Sequence, residues 1–162
     1  MRILPLLAAA LLLAGPAMAA ESLLVTKKSL SSAAARALVD ACVRYATEHK
    51  QIVAAAVVDG QGTLIELHAM QGATVSNIES APLKAKTSVR WRRSTKDLGD
   101  RVKSGENVAP VWMHDFPQRG AVPIFVDGDL VGAMGIGGAG SDECAVDAVK
   151  QVFGGNAKTE EK

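Results

Sequence analysis

Apolar and polar positions follow two different periods along this chain, and the switches between them mark its elements. Leu38, Ala41, Cys42 and Tyr45 recur at i, i+3, i+4 and i+7. That is one face of a 3.6-residue period and predicts a helix over 31–49, capped by Ser29, Ser31 or Ser32. Ile52 to Val58 is a continuous apolar run, Asp59-Gly60-Gln61-Gly62 reads as a turn, and Thr63 to Ala69 alternates as a half-buried strand. A second hairpin opens the stretch 122–143 around Asp127-Gly128, a dipeptide suited to the positive φ angles of a tight turn, and a glycine-rich loop follows it.

Between the hairpins the helical period returns. Ile78, Ala81, Ala85 and Val89 place a helix over 76–93, with Pro82 compatible only with its first turn. A shorter helix is predicted over 95–102, ended by Ser104-Gly105-Glu106-Asn107. Residues 108–120, with two prolines and a glycine, read as a surface loop. The last helix is predicted over 142–152, stopped by Gly154-Gly155 and started by a Ser141 or Asp142 cap. The charged tail at 156–162 is expected to be disordered. Helix, hairpin, two helices, hairpin, helix is an α+β order: one central antiparallel sheet, the two terminal helices on one face, and no parallel crossover.

Composition narrows the setting. Arg2, the apolar run Ile3 to Ala14, the Gly15-Pro16 break and Ala17-Met18-Ala19 have the form of a secretory leader, so residues 1–19 are expected to be cleaved and the product periplasmic or secreted. The remainder, about 143 residues, suits one domain over 20–155. Removing Arg2 leaves basic and acidic residues equal in number, so no global field draws the chain to nucleic acid. Two cysteines, Cys42 and Cys144, fall on the predicted terminal helices. Export permits a disulfide between them, but spacing alone does not set its geometry, and two separately buried thiols are the more economical reading.

The chemical signals are sparse. GIGGAG at 135–140 has the spacing of a dinucleotide fingerprint, but no strand follows its helix and Asp142 and Glu143 put negative charge where a pyrophosphate would dock. A tight strand-to-helix passage explains it better. Lys84, Lys86, Arg90, Arg92, Arg93 and Lys96 form a basic cluster, in which Lys86, Arg90 and Arg93 share a stripe at i, i+4 and i+7. Such a stripe can grip carboxylates such as tetrapyrrole propionates, or it can be a solvated face balanced by Glu79, Asp97 and Asp100. His49 suits a helix C-terminus. His68, two residues before Met70, and His114, beside Met113, are the candidate metal or haem ligands. No C-x-x-C-H sequence is present, so any haem would be held non-covalently. No Ser lies in G-x-S-x-G, and neither cysteine has a local activator.

These segments together resemble the GlcG/HbpS family, also called the haem-degrading-domain or DUF336 family. VPIFVDGDLVGAMGIGGAGSDE at 122–143 is similar to the family's closing strand, D-G turn, glycine-rich strand and acidic helix start. AAAVVDGQGTLIELHAMQGA at 54–73 is similar to its first hairpin, and IESAPLKAKTSVRWRRSTKDL at 78–98 to its middle helix with K-A-x-T and R-P-T motifs. Ala69 and Gln71 stand where the pattern has Arg and Asp, Ser94 where it has Pro, and Gly138 where it has Ser. The resemblance implies a profilin-like domain that forms homo-oligomers and, in some members, binds haem without covalent attachment. It carries over Met70, Gly72, Lys86, Thr87, Arg93 and Thr95 as pocket-side positions. Arg90 and Arg93 would take carboxylates, and His68 or His114 the iron. The reading is a non-enzymatic haem- or small-ligand-binding or sensing module with a membrane sensor as a possible partner. The alternatives are an enzyme acting on bound haem, by breakdown or peroxide chemistry, and a binder of a small organic acid.

Overall fold

The computed structural model describes residues 25–138 and 142–160. The leader expected at 1–19 and the glycine-run positions 139–141, with Ser141, lie outside them. Helix α1, Ser32–Glu48, starts where the Ser31 hydroxyl accepts a hydrogen bond from the Ala34 amide at 3.1 Å. Its apolar stripe, Leu38, Ala41, Cys42 and Ala46, is fully buried. Strand β1, Ala54–Asp59, pairs with β2, Leu64–Ala69, through a turn in which Asp59 Oδ1 accepts from the amides of Gln61 and Thr63 at 2.9 and 2.8 Å.

Helix α2, Val75–Trp91, is capped by Thr74 and ends earlier than the periodicity predicts, because Arg92 turns into the left-handed region at φ 54°. Pro82 lies inside it rather than in its first turn, which removes one amide donor from the helix. Ser94 caps α3, Thr95–Lys103. The segment expected to be loop carries a single helical turn, α4, Ala109–Trp112, with Pro110 near its start where a missing N–H costs nothing. Strands β3, Ala121–Val126, and β4, Asp129–Gly137, join through Asp127 and Gly128 at φ 52° and 84°, the positive pair that a type I′ turn needs.

Helix α5, Glu143–Phe153, has Asp142 at its cap position, but the Asp142 carboxylate binds Arg119 at 2.9 Å instead of capping the helix. The tail departs from expectation too: Ala157–Lys158 form a short strand, β5, on the open edge of β3. Backbone pairing there satisfies groups that a disordered tail would leave to water.

The sheet runs β2-β1-β4-β3-β5, antiparallel throughout, as the α+β reading expects. Helices α1 and α5 share one core cluster on one face; α2 covers the other. Cys42 of α1 and Cys144 of α5 are bridged, with Cα atoms 5.0 Å apart, so the separate-thiol reading is corrected. Two helices packed side by side bring Cβ positions within disulfide reach, which spacing along the chain does not reveal.

The glycine run finds its physical explanation on the α2 face. A Cβ at Gly135 would overlap the Ala81 carbonyl oxygen, and one at Gly137 would overlap the Asn77 carbonyl. These glycines let a helix backbone lie directly on β4.

Candidate functional site

The basic stripe of α2 is split by the way the helix ends. Lys86 and Arg90 stay on it and line a groove of 520 Å³ with Val89, Arg92, Leu130 and the Gly60–Gly62 turn. Arg93, beyond the left-handed Arg92, leaves the stripe and binds Asp97 at 3.2 Å. The expected three-residue stripe is therefore two residues long. Asp97 is shared with Arg101, and Lys96 binds Asp100, whose hydrogen bond from Lys96 holds its carboxyl below the usual carboxylate range. That part of the cluster is the solvated, charge-balanced face.

Arg90 is held from below. Asp115, only 7% exposed, accepts from the Trp91 indole N–H at 2.7 Å and pairs with Arg90 at 3.2 Å. The next residue, Phe116, donates its amide to the buried Thr87 hydroxyl at 2.9 Å. These bonds tie the loop carrying His114 to α2. His114 itself is exposed and takes φ 55°. Lys86, Arg90, Thr87 and the His114 loop thus share one layer of the molecule.

Other expected site residues go elsewhere. His68 pairs across the ladder with Ala55, whose side chain belongs to the α1/α5 core, so the half-buried imidazole is on the opposite face of the sheet from α2. Met70 packs against that same core. Gly72 follows at a turn with φ 91°. Thr95 is buried, and its hydroxyl accepts from the Ala121 amide at 2.9 Å, a bond that fastens α3 to the start of β3. His68 and His114 are therefore separated by the sheet and cannot both ligate one metal within a protomer. Among the described residues, no three His, Cys, Asp or Glu side chains converge on a metal position.

The α2 side of β2 is apolar and open. Leu67 opposes Ala56 and Leu64 opposes Val58, both of which pack under α2, and both leucines are exposed. Leu83 on α2 is exposed as well. One side chain that periodicity should have singled out is Lys84. It lies at i+3 from Ala81, on the apolar face, and it is buried with its Nζ donating to the Ile136 carbonyl at 3.1 Å. Desolvation pushes its pKa down.

The same arrangement recurs among known proteins. A family model described as haem degrading protein HbpS-like matches residues 30–151. The protein GlcG of Escherichia coli K12 is 31% identical over 111 residues, covering 68% of this chain and 83% of GlcG. A PduOC protein solved as a haem complex superposes with a TM-score of 0.74 at 27% identity, over 82% of this chain and 99% of that one. A crystal structure of HbpS gives 0.72 at 28% identity, over 81% and 94% of the two chains.

Proposed function

This chain belongs to the HbpS-like haem degrading protein family, and from that premise we propose that it is an exported, non-covalent binder of haem or a related tetrapyrrole. The observation that carries the reading is the groove beside α2. It sets two cations, Lys86 and Arg90, near a sheet edge whose Leu64 and Leu67 are left open to solvent. A flat apolar ligand with two carboxylates needs that pairing of chemistries. The PduOC relative, solved with haem, lends the ligand its identity.

Haem bound there would supply an iron able to bind a side-chain ligand and to change oxidation state. Within this chain, Lys86 and Arg90 would hold the carboxylates, and Asp115 would keep the Arg90 guanidinium in place. The His114 imidazole would be the residue to hold the iron, since its loop is fastened to the same helix. His68 and Met70 face the other layer and take no part in this site.

Export is supported by the leader-like residues 1–19 and by the Cys42–Cys144 bridge, since disulfides persist in oxidising compartments. Self-assembly is supported by α4 and its flank, where Val111 and Met113 are exposed and Trp112 is 81% exposed. N-terminal sequencing of exported protein tests the first, and sedimentation of a Trp112→Ser variant tests the second.

Titration with haemin tests the binding reading directly. The expected result is a saturable Soret shift that weakens in His114→Ala and Arg90→Ala and persists in His68→Ala. Absence of any shift overturns haem and leaves a small organic anion for the two cations. Adding reductant and oxygen to the complex then separates a carrier, which keeps its Soret band, from an enzyme that consumes haem.

A further inference from the structure

The two outer strands of the sheet are finished differently. β3 carries β5 on its outer edge and has Pro123, which has no amide to donate, within it. β2 is the other outer strand; among the described residues nothing pairs with its free edge, and no proline interrupts it. Its register with β1 fixes which groups that edge offers. The Met70 amide donates to the Val53 carbonyl, so Glu66 and His68, an even number of positions away, turn their backbone groups to β1. Leu67 and Ala69 turn theirs outward. The one bulge, where Ile65 is skipped between the Leu64 and Glu66 pairings, leaves 66–69 regular. An uncovered, regular edge of this kind is a template for another strand.

The side chains along this edge match a second copy of the same strand. Opposite residues of an antiparallel pair share a face, so a copy related by a twofold axis is centred on one residue. Centring on Leu67 uses its outward amide and carbonyl for a mutual pair of hydrogen bonds. It also sets Glu66 opposite the partner's His68, and His68 opposite the partner's Glu66, in the non-hydrogen-bonded positions where side chains lie closest. Centring on Glu66 or on His68 would oppose like residues instead. Arg36 of α1 holds the Glu66 carboxylate at 3.1 Å, and a carboxylate accepts further donors. His68 has no hydrogen-bond or ion-pair partner among the described residues.

We propose that β2 pairs antiparallel with β2 of a second copy about an axis through Leu67, joining the two five-stranded sheets edge to edge. Helix α2 lies over β4 and β1, so both β2 strands are left uncovered on the α2 side. Leu67 is 37% exposed there, and Leu83 on α2 is exposed beside it. Pairing brings Leu67 against the partner's Leu67. The apolar floor beside the Lys86–Arg90 groove then continues into the second copy. This surface is separate from α4, and the pairing rests on strand geometry and charge rather than on haem.

Sedimentation of the full mature chain without haemin reads this pairing apart from the haem reading. Trp112→Ser, which loses the α4 patch, is expected to stop at a dimer, and adding Leu67→Pro should halve that mass. Proline at 67 removes an outward amide and leaves the ladder to β1 intact. Cross-linking under mild oxidation reads the register: Leu67→Cys should join to itself, whereas Glu66→Cys and His68→Cys should join to each other when mixed and not alone. On the wild-type chain, exchange of the Leu67 amide should be slowed at least about tenfold relative to an open chain, which decides the matter even if a variant misfolds. A monomeric Trp112→Ser chain, cross-links that ignore these pairings, or an unprotected Leu67 amide overturns the proposal.

Discussion

Opening the Cys42–Cys144 bridge should remove a large share of this domain's stability. The bridge spans 102 positions, and the loop-closure entropy for a loop of that size is about 4.7 kcal/mol. A typical domain is held by only ~5–15 kcal/mol, so a loss of this size is felt throughout. Residual structure in the unfolded chain reduces the effect, which sets the expectation at about 3–5 kcal/mol. Both cysteines are fully buried, and alanines in their place leave a void adding roughly 1 kcal/mol. The native fold should survive, because Leu38, Val39, Ala145 and Val149 still join α1 to α5 in one core. The assay is guanidinium unfolding of the wild-type chain and of Cys42→Ala/Cys144→Ala, followed by circular dichroism. The double variant should unfold at lower denaturant with a steeper slope, because its unfolded chain is more open. Its Tm should fall by roughly 12–18 °C, at about 3 °C per kcal/mol for a domain of this size. A loss below about 1 kcal/mol would refute the loop-entropy argument. Two titratable thiols in the native wild-type protein would refute the bridge itself.

Gly135→Ala should destabilise the domain by roughly 2–4 kcal/mol, measured by urea unfolding, because the new methyl meets the Ala81 carbonyl and drives α2 off the sheet. Asp115→Ala should cost roughly 1–3 kcal/mol, since it leaves the Trp91 indole N–H without its acceptor; the half-exposed Arg90 guanidinium turns to water and loses its fixed position, so haemin affinity should fall as well. Lys84 makes stability depend on pH: its folded pKa lies below the ordinary 10.5, so between the two values the unfolded chain binds more protons and stability rises as pH increases. Urea midpoints should therefore show Lys84→Met more stable relative to wild type at pH 7 than at pH 10. A gap that does not shrink would mean the buried amine is not desolvated.

The chain's periodicity, caps and turn chemistry place nearly every element, because those features act between residues within one or two turns of each other. Ser31 announces the first helix start and Asp127-Gly128 the second hairpin, each through a bond or a φ preference local to it, and the structure adds Thr74 and Ser94 as caps of the same local kind. The departures have non-local causes. The edge of β3 recruits Ala157–Lys158 from a tail that looks unstructured by composition, and Arg119 draws Asp142 away from its cap.

The candidate site divides the same way. Sequence alone determined the α+β order, the family resemblance and the cationic character of the middle helix, since composition and period carry all three. Tertiary structure alone decided which of those cations act together. A left-handed Arg92 turns Arg93 aside, and the sheet stands between His68 and His114, because strand side chains alternate between two faces that later pack under different helices. It also decided that Lys84 is not one of the surface cations, since a helix laid directly on glycine backbone buries whatever its inner face carries.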